Sequence, residues 1–228
     1  MSAQPLATSP DAQGAATAPT ALPEPCVLLK LGEIVLKGKN RQRFERLLHD
    51  NIRRAVRDVG VQLWQREGVI VLRVADGAAG PAAEAAADLV AERMRNVMGL
   101  SRVCRAVRVA KDPEAAAAAA VQLIAGRQGT FAVRARRRDK RFPVTSSQLA
   151  TLIGARIQQA HGYPVNLSHP DMTVFVEVDQ SEVFVFTEGM PGQGGLPVSM
   201  SGRAVVLMSG GIDSPVAAYR MMRRGRSC

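Results

Sequence analysis

A run of small residues near the end of the chain, Ser-Gly-Gly-Ile-Asp-Ser (209–214), has the composition of a phosphate-binding loop. It follows an apolar run at 203–208 that predicts a buried strand, and it precedes a predicted helix over 214–224. Glycines let a backbone approach a ligand closely, and the amide groups at a helix start attract an anion. Ser209 and Ser214 add hydroxyl donors. The pattern therefore predicts a phosphate site, and its alternative is a plain glycine-rich turn in front of a helix.

The same residues indicate which phosphate chemistry to expect. The loop is not a Walker A sequence, because it lacks the Gly-Lys-Ser/Thr ending. No lysine is present to neutralise a γ-phosphate, so adenylation with release of pyrophosphate suits the loop better than phosphoryl transfer. Asp213 would repel a phosphate unless it orders the loop or helps to hold Mg²⁺.

Basic residues supply a second kind of chemistry. The chain has a net charge of +10 and a pI near 10.5, which favours a polyanionic partner such as nucleic acid. The segment 127–141 holds seven Lys or Arg residues against one Asp. Guanidinium groups pair bidentately with phosphates and position RNA without reading its bases. The alternative for such a segment is a solvated surface.

Other function classes are excluded by composition. Aromatic residues make up 4% of the chain, which argues against large stacking platforms for single-stranded RNA. The three cysteines form no C-x-x-C pair, and the three histidines show no metal-ligand spacing, so we expect no disulfide framework and no metal site. The chain has no apolar run long enough to span a membrane, and its first residues lack the pattern of a signal peptide. We therefore expect a cytoplasmic protein without a membrane partner.

The elements before the loop begin with a β-α-β-β-α-β series. A strand at 26–31 precedes a helix at 41–59, for which Asn40 offers an N-cap and Gly60 an end. A hairpin at 61–66 and 69–74 follows, with Trp64 expected in the core, and then a helix from Pro81 to about 97 and a strand at 101–109. This order is that of a ferredoxin-like unit.

A second series of elements carries the basic segment. We predict a helix at 113–125, a strand at 129–136, a helix at 147–160 capped by Thr145 or Ser146, a short strand at 165–167 and a hairpin at 173–179 and 182–187. Arg134 and Arg136 share the strand face opposite Phe131 and Val133. A Gly- and Pro-rich linker at 190–197 then leads to the phosphate loop.

Four stretches of this sequence resemble one family. Residues 209–217, Ser-Gly-Gly-Ile-Asp-Ser-Pro-Val-Ala, look like the PP-loop of the ATP pyrophosphatases, and with Met-Met-Arg-Arg-Gly (221–225) they resemble the tRNA sulfurtransferases that make 4-thiouridine. The stretches 32–41 and 192–197 agree with that family, and 131–143 resembles its RNA-binding THUMP domain. The resemblance covers residues 26–225.

The resemblance implies an α+β fold and a definite reaction. A ferredoxin-like N-terminal domain and an α/β THUMP domain would be followed by the first strand, loop and helix of an α/β PP-loop domain. The family uses ATP and Mg²⁺ to activate a uridine near the tRNA acceptor stem, and a persulfide carried by a cysteine desulfurase replaces its oxygen. In many bacteria the protein also passes sulfur toward the thiazole of thiamine. The partners implied are thus tRNA, the desulfurase and, as an option, a second copy of the chain.

The resemblance also assigns roles to residues. Ser209, Gly210, Gly211 and Ser214 match the phosphate loop, Leu207 and Met208 flank the adenine nucleotide, and Asp213 matches the essential acid. The residues expected to bind RNA are Lys37, Lys39, Arg41, Arg134, Arg136, Arg137, Arg138 and Lys140.

From these matches we divide the chain into five parts: a disordered tail at 1–25, the ferredoxin-like domain at 26–82, the THUMP domain at 83–189, a linker at 190–202 and the start of the PP-loop domain at 203–228. The family's sulfur-handling cysteine has no counterpart here, so we expect a fragment that retains tRNA binding and lacks catalysis. One rival is a stand-alone RNA-binding THUMP protein. A PP-loop ligase for a small molecule is another, against which the basic surface argues.

Overall fold

The structure is a computed structural model that describes residues 23–36, 38–66, 68–74 and 80–228. Most of the predicted disordered tail, Lys37 of the predicted RNA-binding set and Glu67 of the hairpin turn lie outside these ranges. Within them, no helix combines the length and the apolar character that crossing a bilayer requires.

The first half of the chain forms the expected ferredoxin-like unit. Its elements are β1 (Glu24–Leu31), α1 (Arg41–Ala55), β2 (Val61–Arg66), β3 (Val69–Val74), α2 (Pro81–Met94) and β4 (Leu100–Val109). The strands pair antiparallel in the order β2-β3-β1-β4. The first and last strands of this unit, β1 and β4, are therefore neighbours in the sheet. The prediction of a β-α-β-β-α-β unit is confirmed.

The second half extends the same sheet. Its elements are α3 (Pro113–Leu123), β5 (Phe131–Arg137), α4 (Ser146–His161), β6 (Met172–Val178) and β7 (Val183–Phe186). β7 pairs with β4, and β6 and β5 follow, with β5 and β6 parallel. A two-residue strand, β8 (Met190–Pro191), also pairs with β4, and α5 (Asp213–Arg223) follows the phosphate loop.

Side-chain alternation along β4 assigns the two faces of the sheet. Val103 packs in one core with α1 and α2, and Val109 packs in a second core with α3 and α4. Val103 and Val109 are six positions apart, and residues an even number of positions apart point to the same face of a strand. The helices of both halves therefore cover the same face of the sheet. Cys104 and Ala106 belong to a third cluster on the opposite face, with Phe184 and Phe186.

Some predicted boundaries and caps are corrected. α1 ends at Ala55 rather than at 59, because Val56 leaves the helical conformation, and α2 ends at Met94 rather than at 97. Asn40 occupies the N-cap position of α1 but makes no side-chain capping bond, since its backbone is already helical. The prediction at α4 is confirmed: Thr145 accepts from the Gln148 N–H and completes a capping box. The expected strand at 165–167 is a single bridge between Val165 and Phe131.

The buried strand predicted at 203–208 is wrong. In this segment only Arg203 forms a bridge, to Ser227, and Val205 and Leu207 are 93% and 88% exposed. A buried strand needs paired neighbours and covered faces, and in the described part of the chain no strand lies beside residues 204–208.

Candidate nucleotide loop and RNA-binding surface

Two serine hydroxyls close the candidate phosphate loop. The Ser209 N–H donates to Ser214 Oγ at 3.1 Å, and the two Oγ atoms lie 3.3 Å apart. The Gly211 N–H donates to Ser209 Oγ at 3.3 Å. The loop is therefore a compact turn in front of α5, held by the residues that the sequence marks as phosphate donors.

The two glycines leave clear space above this turn. Neither Gly210 nor Gly211 has a positive φ, so the conformation of the turn does not itself require glycine. A Cβ atom built on Gly210 would meet nothing within 4 Å, and one on Gly211 would meet only Ser209 Oγ at 3.6 Å. What the missing side chains provide is room for a ligand to approach the backbone, which is what a phosphate group needs.

Asp213 lies in the first turn of α5, where its carboxylate is exposed. Among the described residues it has no hydrogen-bond or ion-pair partner, so it does not order the loop through its side chain. Of the two roles suggested by the sequence, holding a cation beside a bound phosphate fits this position better. The described residues contain no cluster of three His, Cys, Asp or Glu side chains for a metal, so the ligand would have to contribute oxygens.

The other residues matched to nucleotide binding precede the loop in an exposed segment. Leu207 and Met208 present apolar surface directly before Ser209. The N-cap residue of α5, Ile212, is exposed as well and makes no side-chain cap. An apolar rim beside phosphate donors fits an adenine nucleotide, whose base can pack its flat face on apolar side chains and whose phosphates are charged.

The segment 190–202 attaches the loop to the sheet. Gly194 accepts from the Gly99 N–H at 2.8 Å and donates to Leu100 O at 2.7 Å. At the other end of α5, Leu196 N–H donates to Arg223 O at 2.9 Å, and the Tyr219 hydroxyl donates to Gln193 Oε1 at 2.5 Å. The segment predicted as a linker is thus hydrogen-bonded both to β4 and to α5.

The candidate RNA-binding residues of β5 lie on the terminal strand of the sheet. Arg134, Arg136 and Lys140 are exposed, and Arg134 Nη2 reaches Leu167 O at 3.4 Å. Arg137 is half-buried and donates to Phe142 O at 3.2 Å. Arg138 is half-buried beside Glu177 and Asp179. The first three residues present their charge to solvent, whereas Arg137 also holds the loop after β5 through its bond to Phe142.

A buried carboxylate organises the loop after β5. Asp139 lies within the basic segment and is 7% exposed. It accepts from the Arg141 backbone N–H at 2.9 Å and pairs with Lys111, whose ammonium group also donates to Gln180 O at 2.7 Å. Hydrogen bonds from Lys111 and Arg141 hold the pKa of Asp139 well below its usual range. No local pattern predicts this role of Asp139, because its partner Lys111 is 28 residues away in the sequence.

The second predicted basic loop lies at the other side of the fold. Lys37 is outside the described residues, and for Lys39 the structure describes the backbone alone. Arg41 opens α1 and pairs with Glu45 at 2.7 Å. Glu45 also accepts from Gln65 of β2, the strand at the opposite end of the sheet from β5. The structure therefore keeps the two predicted RNA-binding groups apart.

A chain of ion pairs that the sequence did not reveal joins the two halves. Arg108 of β4 contacts Glu24 of β1 and Glu182, the latter at 2.7 Å. Arg66 of β2 reaches Glu182 at 2.8 Å and Asp179 at 2.9 Å. Glu24 and Glu182 are buried, so these pairs fix the turn between β6 and β7 against the ferredoxin-like strands.

Three protein-family models match the chain in succession. The ThiI ferredoxin-like domain matches residues 26–104, the THUMP domain matches 113–188, and the model described as Thiamine biosynthesis protein (ThiI) matches 199–228.

Curated relatives carry the same family name. A probable tRNA sulfurtransferase of Nocardia farcinica is 48% identical over 211 residues, which are 89% of this chain and 49% of that protein. The probable tRNA sulfurtransferase of Thermus thermophilus is 39% identical, over 85% of this chain and 46% of the relative. The chain spans about half the length of the curated relatives it matches.

Solved structures agree with this relationship. A 4-thiouridine synthetase, solved as an RNA complex with bound ATP, superposes with a TM-score of 0.75 at 28% identity and covers 89% of this chain and 51% of that one. PH1313 from Pyrococcus horikoshii also superposes with a TM-score of 0.75, at 26% identity, over 89% of this chain and 66% of the other. The three consecutive family models, the relatives and the shared fold agree, and the chain belongs to the tRNA sulfurtransferase family.

Proposed function

We propose that this chain is the tRNA-binding and first nucleotide-binding part of an ATP-dependent tRNA sulfurtransferase that converts a uridine to 4-thiouridine. The observation that carries the proposal is the serine-closed loop with open space above Gly210 and Gly211, on the same chain as a THUMP domain. A phosphate loop without a lysine suits the release of pyrophosphate, and a basic sheet edge suits an RNA substrate.

In this proposal ATP transfers an adenylyl group to the uridine oxygen with release of pyrophosphate, so that the oxygen can leave with AMP. A persulfide on a cysteine desulfurase displaces AMP to give a mixed disulfide with the uridine, and a second thiol reduces this disulfide to release the 4-thiouridine. The loop amides and the hydroxyls of Ser209 and Ser214 would hold the phosphates. Asp213 would hold Mg²⁺ together with phosphate oxygens. Leu207 and Met208 would contact the adenine, because both expose apolar surface next to the loop.

The RNA would be held by phosphate contacts. Arg134, Arg136 and Lys140 are exposed on or beside β5, and the loop that carries Lys140 is fixed by Asp139. We propose the same role, contact with RNA phosphates, for Arg137 and Arg138 at the end of β5. We also propose it for Lys37, Lys39 and Arg41 at the start of α1. The acceptor stem of tRNA, a short duplex, offers phosphates and 2′-hydroxyls to such a surface.

The reaction is tested in the source strain with the gene that encodes this chain. Deleting the gene should remove 4-thiouridine from tRNA, as measured by mass spectrometry of nucleosides. The wild-type gene should restore it, and a gene carrying Asp213→Asn should not, while the variant protein keeps its affinity for tRNA. Asp88→Asn, an exposed carboxylate on α2, is the control and should restore the nucleoside. Unchanged 4-thiouridine after the deletion would exclude the proposed reaction.

The phenotypes of the same deletion strain distinguish two related functions from the proposed one. A supply of sulfur for the thiazole of thiamine is favoured by the description of the third family model, and it predicts that the deletion also creates a requirement for thiazole. A THUMP protein that binds RNA without catalysis predicts that Asp213→Asn and wild type restore every phenotype equally.

A further inference from the structure

The outer face of α1 carries a stripe of arginines. Going around the helix at about 100° per residue, one arc of about 100° contains four arginines and a single carboxylate, that of Asp50, and a fifth exposed arginine follows in the turn after the helix. The members of this α1 arginine stripe are Arg43, Arg46, Arg53, Arg54 and Arg57, the last in the turn that follows the helix.

This stripe faces away from the core. Leu48 and Ile52 are fully buried against the sheet and lie on the opposite side of the helix. All five arginines of the stripe are exposed. Substitutions in the stripe can therefore change the surface charge of α1 without disturbing the packing that holds the helix in place.

Most of this charge is left without an acidic partner. Arg43, Arg46 and Arg57 make no hydrogen bond or ion pair with the described residues, and Arg53 approaches Asp50 only to 3.5 Å. The other nearby carboxylates are already engaged, Glu45 by Arg41 and Asp58 by Arg93. Elsewhere arginines such as Arg105 and Arg108 each contact two carboxylates. A row of like charges without partners is costly in the free protein, and an anionic partner removes that cost.

The shape and chemistry of the stripe fit a nucleic-acid backbone. From Arg43 to Arg54 the helix rises by about 16 Å, a length over which a duplex strand presents several phosphates. Guanidinium groups bind phosphate oxygens bidentately. A helix that lies in a membrane surface needs apolar residues to insert, but the apolar residues of α1 face the sheet.

We propose that the α1 arginine stripe is a second phosphate-binding surface, which holds the backbone of the bound tRNA on the side of the fold opposite β5. This inference rests on the proposed function for the identity of the RNA. It adds a contact region that begins at Arg43 and follows the exposed face of α1, beyond the basic loop that precedes the helix.

Binding measurements test the stripe. The Arg43→Gln/Arg46→Gln double variant should bind tRNA about tenfold to a hundredfold more weakly than wild type at low salt. The slope of log K against log salt should fall by about 2, one for each lost phosphate contact. The control, Arg95→Gln/Arg156→Gln, removes the same charge from a half-buried position directly after α2 and an exposed position on α4, and should change the affinity less than twofold. Thermal unfolding of all variants checks that the fold is kept.

A second measurement locates the contact. An iron chelate attached at position 46, through Arg46→Cys with Cys228→Ser, should cleave a few consecutive nucleotides of tRNA. Cys26 and Cys104 are buried and will not be labelled. The same chelate at position 114 on α3 should leave those nucleotides uncut.

The outcomes separate the two proposals. Wild type that binds tRNA together with an unchanged double variant would overturn the stripe and leave the proposed function standing. Wild type that does not bind tRNA would overturn both. Loss of binding to phosphatidylserine vesicles in the double variant, with tRNA binding intact, would assign the stripe to a membrane and overturn its RNA role.

Discussion

At the scale of single residues, Gly189 and Gly154 differ in how much the fold depends on the absence of a side chain. Gly189 follows β7, and a Cβ atom there would lie 2.3 Å from Cys104 Sγ and 2.8 Å from Val103 O. Gly154 lies within α4, and a Cβ atom there would meet nothing within 4 Å. The first glycine is required by a close approach of two backbone segments, and the second is replaceable.

Gly189→Ala should therefore lower the free energy of unfolding by about 3 kcal/mol or prevent folding, since both the sulfur and the carbonyl are fixed in a buried strand. Gly154→Ala should raise it by about 0.5–1 kcal/mol, because alanine loses less backbone entropy in a helix. Urea denaturation followed by circular dichroism measures both. Equal effects of the two substitutions would contradict this account of the contact between Gly189 and Cys104.

At the scale of elements, the connection from β5 to α4 depends on one carboxylate. Asp139 joins Lys111, which follows β4, to Arg141, which follows β5. Because the pKa of Asp139 is lower in the folded chain than in the unfolded chain, the ion pairs stabilise the fold above pH about 4. This contribution is lost as the pH falls from about 4 toward the lower pKa of the folded state.

Asp139→Asn should flatten the loss of stability below pH 4, since the variant has no proton to take up at this position. The measurement is the urea midpoint at a series of pH values from 7 to 2. Glu114→Gln is the control, an exposed carboxylate paired with Arg156 on the surface, and should keep the pH dependence of wild type. A variant curve parallel to that of wild type below pH 4 would show that Asp139 is not the acid-sensitive group.

Most elements could be predicted from the sequence because their signals are local. The hairpin of β2 and β3 falls at its predicted residues, and Thr145 caps α4. The incorrect predictions concern features that depend on contacts between residues far apart in the sequence. Residues 203–208 have the composition of a buried strand, but composition does not supply a neighbouring strand. The candidate phosphate loop was visible because its residues are contiguous, whereas Lys111 with Asp139 and Arg108 with Glu182 are joined only by the fold.

At the scale of the whole molecule, one sheet runs through both halves and buried charges reinforce their junction. Glu182 lies in the second half and pairs with Arg66 and Arg108 of the first. Removing one member of a buried pair leaves its partners without compensation, and this costs more than the pair itself contributes.

Glu182→Gln should lower the free energy of unfolding by about 2–4 kcal/mol, because two arginines lose their shared carboxylate. The matched change Glu92→Gln breaks an exposed pair with Arg95 and should alter it by less than about 0.5 kcal/mol. Urea unfolding followed by the fluorescence of Trp64, which lies in β2 beside Arg66, measures both variants. A small effect of Glu182→Gln would show that the junction is held by strand pairing alone.

The hydrogen bonds of segment 190–202 have a mechanical consequence. Gly194 is fixed to β4, Leu196 to the end of α5, and Val198 to Asn51 of α1. A segment that is hydrogen-bonded at these three points acts as a rigid spacer. It holds the loop at 209–214 at a fixed distance from the ferredoxin-like unit. An enzyme with such a spacer would select its target nucleotide by distance. The relevant distance is the one along the RNA between the target nucleotide and the bound part of the RNA.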